Sequence, residues 1–116
     1  MIAEGQVVLF KFPQTDQVPG KLRPALVIRE LPGSYGDWLI CMVSSQLTQQ
    51  IPDFDEVIKE EDPDFGRSGL KTSSVVRVGR LAVVNGKFLL GSIGDIAPVR
   101  LMSIRKNLSG WITGAK

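Results

Sequence analysis

The residues best placed to do chemistry are two cations, Lys21 and Arg23, that lead directly into an apolar run at residues 24–28. That run begins with Pro24, which has no backbone N–H and so favours the start of a strand over its middle. The pattern predicts that Arg23 lies at the rim of a buried strand, where its guanidinium can bind a phosphate or a carboxylate. The alternative, and the more common role of an isolated arginine, is a solvated residue or a structural ion pair.

Histidine and cysteine, which serve many proton-transfer and zinc sites, are nearly absent. The chain has no histidine and a single cysteine, Cys41. Without histidine, it cannot form a paired-histidine ribonuclease centre or a Ser-His or Cys-His nucleophile. One cysteine alone can form neither an internal disulfide nor a zinc site. We therefore expect no metal and no cofactor.

Cys41 also bears on where the protein works. It lies in the apolar run 38–43, which predicts a small buried side chain in a reducing compartment. The N-terminus shows no targeting pattern, and no apolar run approaches the ~20 residues that a membrane span needs. These features predict a cytoplasmic protein.

The net charge of +2 conceals an uneven distribution. Residues 53–64 carry seven acids and one lysine, which leaves thirteen basic and five acidic residues, a net charge of +8, elsewhere. A fold that gathers these cations on one face would suit a polyanion. The acidic run does not match a calcium-loop pattern, so we interpret it as a solvated loop rather than as a cation site.

Glycine and proline divide the 116 residues into short elements of one domain. Six runs are typical of strands: residues 5–12, 24–30, 37–44, 54–58, 73–78 and 81–84. The first three predict an antiparallel meander, and Gly79 predicts a bulge or bend. Asn85-Gly86 predicts a type I′ hairpin into a strand over 87–93. Helical spacing of apolar residues from Pro98 to Ile112 predicts a closing helix. The fold class is therefore mainly β (α+β), a small curled barrel with a C-terminal helix.

Aromatic residues in the predicted strands are expected in the core: Phe10, Phe12, Trp38 and Phe88. Tyr35 lies in a predicted turn, where an exposed ring could stack on a nucleobase. Core packing is the commoner fate of such a ring, and we expect it here.

Several stretches resemble the MazF/PemK-like toxins of toxin–antitoxin modules. The arginine-proline strand entry at 23–28 is the most specific of them. The others are Gly5-Gln6-Val7-Val8, Phe12-Pro13, Thr15-Asp16, Cys41-Met42-Val43-Ser44-Ser45, Ser68-Gly69-Leu70, Ser74-Val75-Val76-Arg77 and Gly94-Asp95-Ile96. The chain differs from the family at Gln6 and Gln14, where an acid and an aromatic residue are common.

The resemblance implies one SH3-like barrel domain over residues 1–116 that works as a homodimer. It also implies a growth-inhibiting endoribonuclease that cleaves single-stranded RNA, such as mRNA, with sequence preference and without a metal, and a partner antitoxin with an acidic disordered segment. By position, the catalytic arginine is Arg23 and the catalytic hydroxyl is Ser44. The candidates for binding RNA are Lys21, Asp16, Ser45, Gln46, Lys71 and Arg77. Ser45 is also the fallback for Ser44 if the register differs.

Cleavage through the RNA's own 2′-hydroxyl needs a base, an acid and positive charge on the developing phosphorane. Arg23 can supply the charge and donate a proton in the transition state, and Ser44 can orient the phosphate. The base stays unassigned, with Asp16 a candidate only because it is near Arg23 in sequence. A binding toxin of related fold, acting on a protein such as DNA gyrase, is the alternative. The joint presence of Arg23-Pro24 and Ser44 favours the nuclease.

Overall fold

The structure is a computed structural model that describes residues 2–11 and 21–114. The predictions made for Phe12, for Asp16 and for the loop at 14–20 fall outside the described residues. The elements, in chain order, are β1 (Gln6–Lys11), β2 (Leu22–Glu30), β3 (Asp37–Ser44), β4 (Glu56–Ile58), α1 (Phe65–Ser68), β5 (Ser74–Asn85), β6 (Ser92–Asp95) and α2 (Pro98–Thr113).

All six strands form one antiparallel sheet in the order β4, β5, β3, β2, β1, β6. The predicted meander of β1, β2 and β3 is confirmed, and so is the fold class, a curled, mainly β barrel-like sheet with a C-terminal helix. No helix in the described part of the chain is long and apolar enough to cross a membrane.

Each face of the sheet carries its own hydrophobic core. Because successive strand residues point to opposite faces, Val7 joins the core beneath α2 and Val8 joins the core on the other face. The helix buries Leu101, Ile104 and Leu108 in the first core, as its spacing predicts. The second core combines Val8, Ala25, Val27, Ile40 and Leu89.

The acidic run anchors α2, and its interpretation as a solvated loop is wrong for Asp55 and Asp64. Asp64 is buried and accepts two hydrogen bonds from Arg100, at 2.8 and 3.0 Å. Arg100 also donates to Asp62 and to the carbonyl of Val57, both at 3.0 Å. Asp55, likewise buried, accepts from the backbone N–H of Ile51 in its own turn and from that of Val78 on β5, both at 2.9 Å. Sequence could not predict the anchor, because the arginine lies 36 residues from Asp64.

The predicted type I′ hairpin is wrong. Asn85 has φ −69°, whereas that turn needs positive φ at both central residues. Its side chain instead accepts from the backbone N–H of Lys87 at 3.1 Å and caps a single 3-10 turn. The chain then crosses to β1, which pairs with β6. β5 is one continuous strand, and the predicted bulge is confirmed because Cys41 lies opposite Leu81 while Met42 lies opposite Arg77.

Some of the aromatic residues predicted to lie in the core are partly buried and others are exposed. Phe10 and Trp38 pack against the second core, as expected. Phe88 is 57% exposed and Tyr35 is 78% exposed, so the core prediction is wrong for both. Cys41 is fully buried, and desolvation raises the pKa of its thiol.

Candidate functional site

The start of β2 and the end of β3 bring Arg23 and Ser44 together. Ala25 lies opposite Met42, and the same register continued by two residues puts Arg23 opposite Ser44. β2 begins at Leu22, two residues before the predicted start. Pro24 is accommodated because its pairing is with β1, while pairing with β3 begins only at the next residue.

These two residues line a pocket of about 550 Å³, here called the Arg23 pocket. Its lining residues are Leu9, Leu22, Arg23, Pro24, Val43, Ser44, Ser45, Gln46, Gly69, Leu70, Lys71, Thr72, Ser74 and Ile93. Five of the sequence-predicted site residues are among them: Arg23, Ser44, Ser45, Gln46 and Lys71. Its described lining therefore holds two cations and several hydroxyl groups but no carboxylate, which suits an anionic ligand.

Close backbone packing between α1 and β6 positions the far wall of the pocket. A Cβ on Gly69, which has φ +75°, would lie 2.0 Å from the carbonyl oxygen of Ile93. A Cβ on Gly94 would lie 2.2 Å from the carbonyl oxygen of Arg67. Neither contact is possible with a side chain present. The glycines thus hold the segment that carries Lys71 against the strand ends.

Arg23 reaches the pocket without a protein partner among the described residues. Its Nε is buried and has no hydrogen-bond acceptor there. The ion pairs found in the described part of the chain are made by Arg67, Arg100 and Arg105. No described carboxylate therefore supports the structural ion-pair alternative for Arg23. A buried N–H without an acceptor is costly, so an anionic ligand that accepts from it is favoured.

The hydroxyl of Ser44 is oriented by the next turn. Its Oγ accepts from the backbone N–H of Gln46 at 3.0 Å, which leaves its hydrogen available for a ligand. At the rim, the carboxylate of Glu60 accepts from the hydroxyl of Thr72 at 3.1 Å. Sequence reasoning missed both Glu60 and Thr72, because their relation to the pocket depends on how the acidic run folds against β5.

Two of the predicted RNA-binding residues, Lys21 and Arg77, lie outside this arrangement. Lys21 is exposed ahead of β2 and does not line the pocket. Arg77 lies on β5 and donates to Gln49 at 3.5 Å, beside a separate cavity of about 230 Å³. Asp16 falls outside the described residues, so the sequence-based candidate for the base remains a prediction.

Solved structures that share this fold include three toxin structures. A mycobacterial endoribonuclease in complex with its cognate antitoxin has a TM-score of 0.67 at 14% identity, with 100% of this chain and 98% of that chain covered. The Mycobacterium tuberculosis toxin MazF-mt6 has a TM-score of 0.67 at 13% identity, with 93% and 96% covered. A MazE–MazF structure from Deinococcus radiodurans has a TM-score of 0.70 at 21% identity, with 100% and 99% covered.

The sequence itself carries the family relationship. No curated protein sequence matches the chain significantly. The profile of the PemK-like, MazF-like toxins of type II toxin–antitoxin systems matches residues 3–112, nearly the whole chain. The resemblance predicted from the strand entry and the serine after β3 is thereby confirmed. The chain belongs to the PemK-like, MazF-like toxins of type II toxin–antitoxin systems.

Proposed function

We propose that residues 1–116 form one toxin domain that cleaves single-stranded RNA, with sequence preference and without a metal, in the cytoplasm. The observation that carries the proposal is the buried, unpaired Nε of Arg23 in a pocket shared with Ser44 and Lys71. A pocket of this charge, open to solvent at the ends of two strands, suits a phosphodiester. Membership of the toxin family makes RNA the substrate class to test first.

In the proposed reaction, the 2′-oxygen of a ribose attacks the adjacent phosphorus and the bond to the 5′-oxygen breaks. The products are a 2′,3′-cyclic phosphate and a free 5′-hydroxyl. Arg23 donates to the non-bridging oxygens, where negative charge develops, and gives the departing 5′-oxygen the proton it takes up, while Ser44 donates a further hydrogen bond. A base takes the 2′-hydroxyl proton, and Asp16 and Glu60 are the two carboxylates to test for that role.

An antitoxin with an acidic disordered segment is the proposed partner. Two of the structures with this fold contain an antitoxin. An acidic segment placed over the Arg23 pocket would gain affinity from the cations that bind RNA, and it could follow a long groove as it orders. Inhibition would then follow from occupation of the RNA site.

We also propose that the toxin is a homodimer formed through the free edge of β5. β4 pairs with β5 only at residues 74–76, and no other described strand covers that edge. Leu81 and Val83 are exposed along it. Trp111 lies close by, because its ring contacts Phe54 at 6.0 Å and the Phe54 ring packs against Gly79 of the bulge.

Leu81, Val83 and Trp111 are here called the β5-edge patch. An open apolar strand edge is an aggregation hazard unless something covers it. A twofold axis would pair the two β5 edges antiparallel, which satisfies the free backbone groups and buries the patch on both copies. Buried tryptophan side chains contribute strongly to such interfaces. A second copy is therefore the occupant we propose.

The proposed activity is tested by incubating the purified protein and EDTA with a long unstructured RNA and mapping new 5′-hydroxyl ends. The wild type should produce them, and Arg23→Ala should lower the rate by ~10²-fold or more, the scale of losing one preorganised charge-stabilising donor. Ser44→Ala should cost less. Because Arg23 lies at a strand rim, Arg23→Ala should fold normally by circular dichroism. A folded and fully active Arg23→Ala protein, or an inactive wild type, would refute the assignment.

A further inference from the structure

A second pocket, of about 440 Å³, lies on the sheet face opposite α2. Its lining residues are Phe10, Lys11, Val84, Phe88 and Leu90, and it is here called the Phe88 pocket. Phe88 and Leu90 are both more than half exposed although they are large apolar side chains. Exposed apolar patches of this kind mark sites that bind a ligand or a partner.

The Phe88 pocket combines an exposed aromatic ring with positive charge. The ammonium group of Lys87 lies 5.3 Å from the centre of the Phe88 ring, and Lys11 lines the pocket itself. Neither lysine forms an ion pair with a described carboxylate. An aromatic platform flanked by cations is the arrangement with which proteins stack the bases of single-stranded nucleic acid and hold its phosphates.

The Phe88 pocket and the Arg23 pocket are neighbours, because each includes one residue of a cross-strand pair between β1 and β2. Phe10 pairs directly with Arg23, so the two side chains leave the sheet on the same face as cross-strand neighbours. The backbone N–H of Leu90 donates to the carbonyl of Leu9 at 3.0 Å, and Leu9 itself lines the Arg23 pocket. Phe10 of the Phe88 pocket is thus a direct cross-strand neighbour of Arg23, so a ligand bound at Arg23 lies next to the Phe88 pocket.

We propose that the Phe88 pocket holds a nucleobase of the RNA, adjacent to the phosphate bound by Arg23. This inference rests on the proposed function. A volume of about 440 Å³ falls in the range of small-molecule sites and accommodates one planar base. A second copy of the chain fits the pocket less well, because interface cores are depleted in lysine and this patch contains or adjoins two.

The test uses an RNA that binds but cannot be cleaved, a short single strand with 2′-O-methyl groups on every ribose. Binding is measured by fluorescence anisotropy, with each base removed in turn to leave an abasic site. Phe88→Ala should weaken binding by about tenfold, the scale of one lost base-stacking contact. Phe88→Trp should retain affinity because it keeps the stacking surface. Val99→Ala, which truncates an exposed apolar residue of α2, is the matched control and should change nothing.

The abasic series identifies the contact. The wild type should lose affinity most at one position, and Phe88→Ala should no longer distinguish that position. An unchanged affinity for Phe88→Ala, or an equal loss at every position, would overturn the proposal. A shift in sedimentation to the monomer would assign the pocket to an interface between copies instead. If the wild type binds this RNA with the expected pattern but cleaves no natural RNA, the proposed function fails and the base site stands. If the wild type cleaves RNA and Phe88→Ala binds RNA as tightly as the wild type does, the proposed function stands and the base site fails.

Discussion

Removing the Arg100 guanidinium tests the most buried ion pair in the described part of the chain. The Arg100 side chain is 15% exposed and the Asp64 side chain 5% exposed. Arg100→Met leaves that carboxylate buried without its cation, and breaking such a pair costs about 3–5 kcal/mol. For a chain of this size, about 1 kcal/mol lowers the Tm by ~4 °C, so we expect a decrease of ~12–20 °C.

The matched control is Arg67→Met. Arg67 and Asp95 lie 2.7 Å apart, close to the 2.8 Å that joins Arg100 and Asp64, but their side chains are 52% and 47% exposed. Solvent screens an exposed pair, so Arg67→Met should leave the Tm near the wild-type value. Thermal unfolding followed by circular dichroism measures both. Equal losses for the two variants would show that burial does not set the strength of these contacts, and would refute the reasoning.

The pH dependence supplies a second readout for the same pair. Hydrogen bonds from Arg100 hold the pKa of Asp64 below its usual value of 3.8. A carboxylate with a depressed folded-state pKa stabilises the fold above the unfolded pKa, and this contribution disappears as pH falls through the folded pKa. The difference in Tm between the wild type and Arg100→Met should therefore be full at pH 7 and shrink below about pH 4. Adding Asp64→Asn to Arg100→Met should recover part of the loss, because the buried charge is gone.

Three further outcomes are expected. Gly94→Ala should lower both the Tm and RNA cleavage because its Cβ would lie 2.2 Å from a carbonyl oxygen of α1. Gly66→Ala, whose Cβ would meet nothing within 4 Å, should leave both unchanged. Equal effects of the two substitutions would contradict the packing argument. A cognate antitoxin should displace labelled, uncleavable RNA, and simultaneous binding with unchanged affinities would separate the two sites. Val83→Glu should give a monomer in sedimentation velocity while Val99→Glu matches the wild type, and a monomeric wild type would exclude the β5-edge patch as a dimer surface.

The family resemblance named Arg23, Ser44 and Lys71 as candidate site residues, and the arginine-proline step marked Arg23 by itself. Arg23 and Ser44 lie together because the two strands that carry them pair in a simple meander, which the strand pattern predicted. The position of Lys71 has a different origin. It depends on glycines at 69 and 94 that allow two backbones to touch, and that contact joins segments about 25 residues apart. Spacing along the chain carries no signal for such a contact.

The wrong predictions of a hairpin at Asn85-Gly86 and of a buried Phe88 both arise from strand pairing that is distant in sequence. Asn85-Gly86 is a strong local turn signal, but β6 pairs with β1, so the chain must cross rather than fold back. The side chain of Asn85 then serves as a cap, and Phe88 is left on the surface instead of in a strand facing the core. Tertiary pairing therefore overrode a local preference. The residue it exposed became the candidate base-stacking platform.

The ion pairs of the structure explain where the acidic run 53–64 acts in the fold. Arg100 binds three of the seven acids in residues 53–64: Glu56, Asp62 and Asp64. Those acids therefore stabilise α2 and are engaged away from the Arg23 pocket. Arg23 and Lys71, together with the two lysines of the Phe88 pocket, form no ion pair with a described carboxylate. The cations proposed to meet RNA are thus among those that no described carboxylate neutralises, so binding should weaken steeply with rising salt, in proportion to the phosphates they contact.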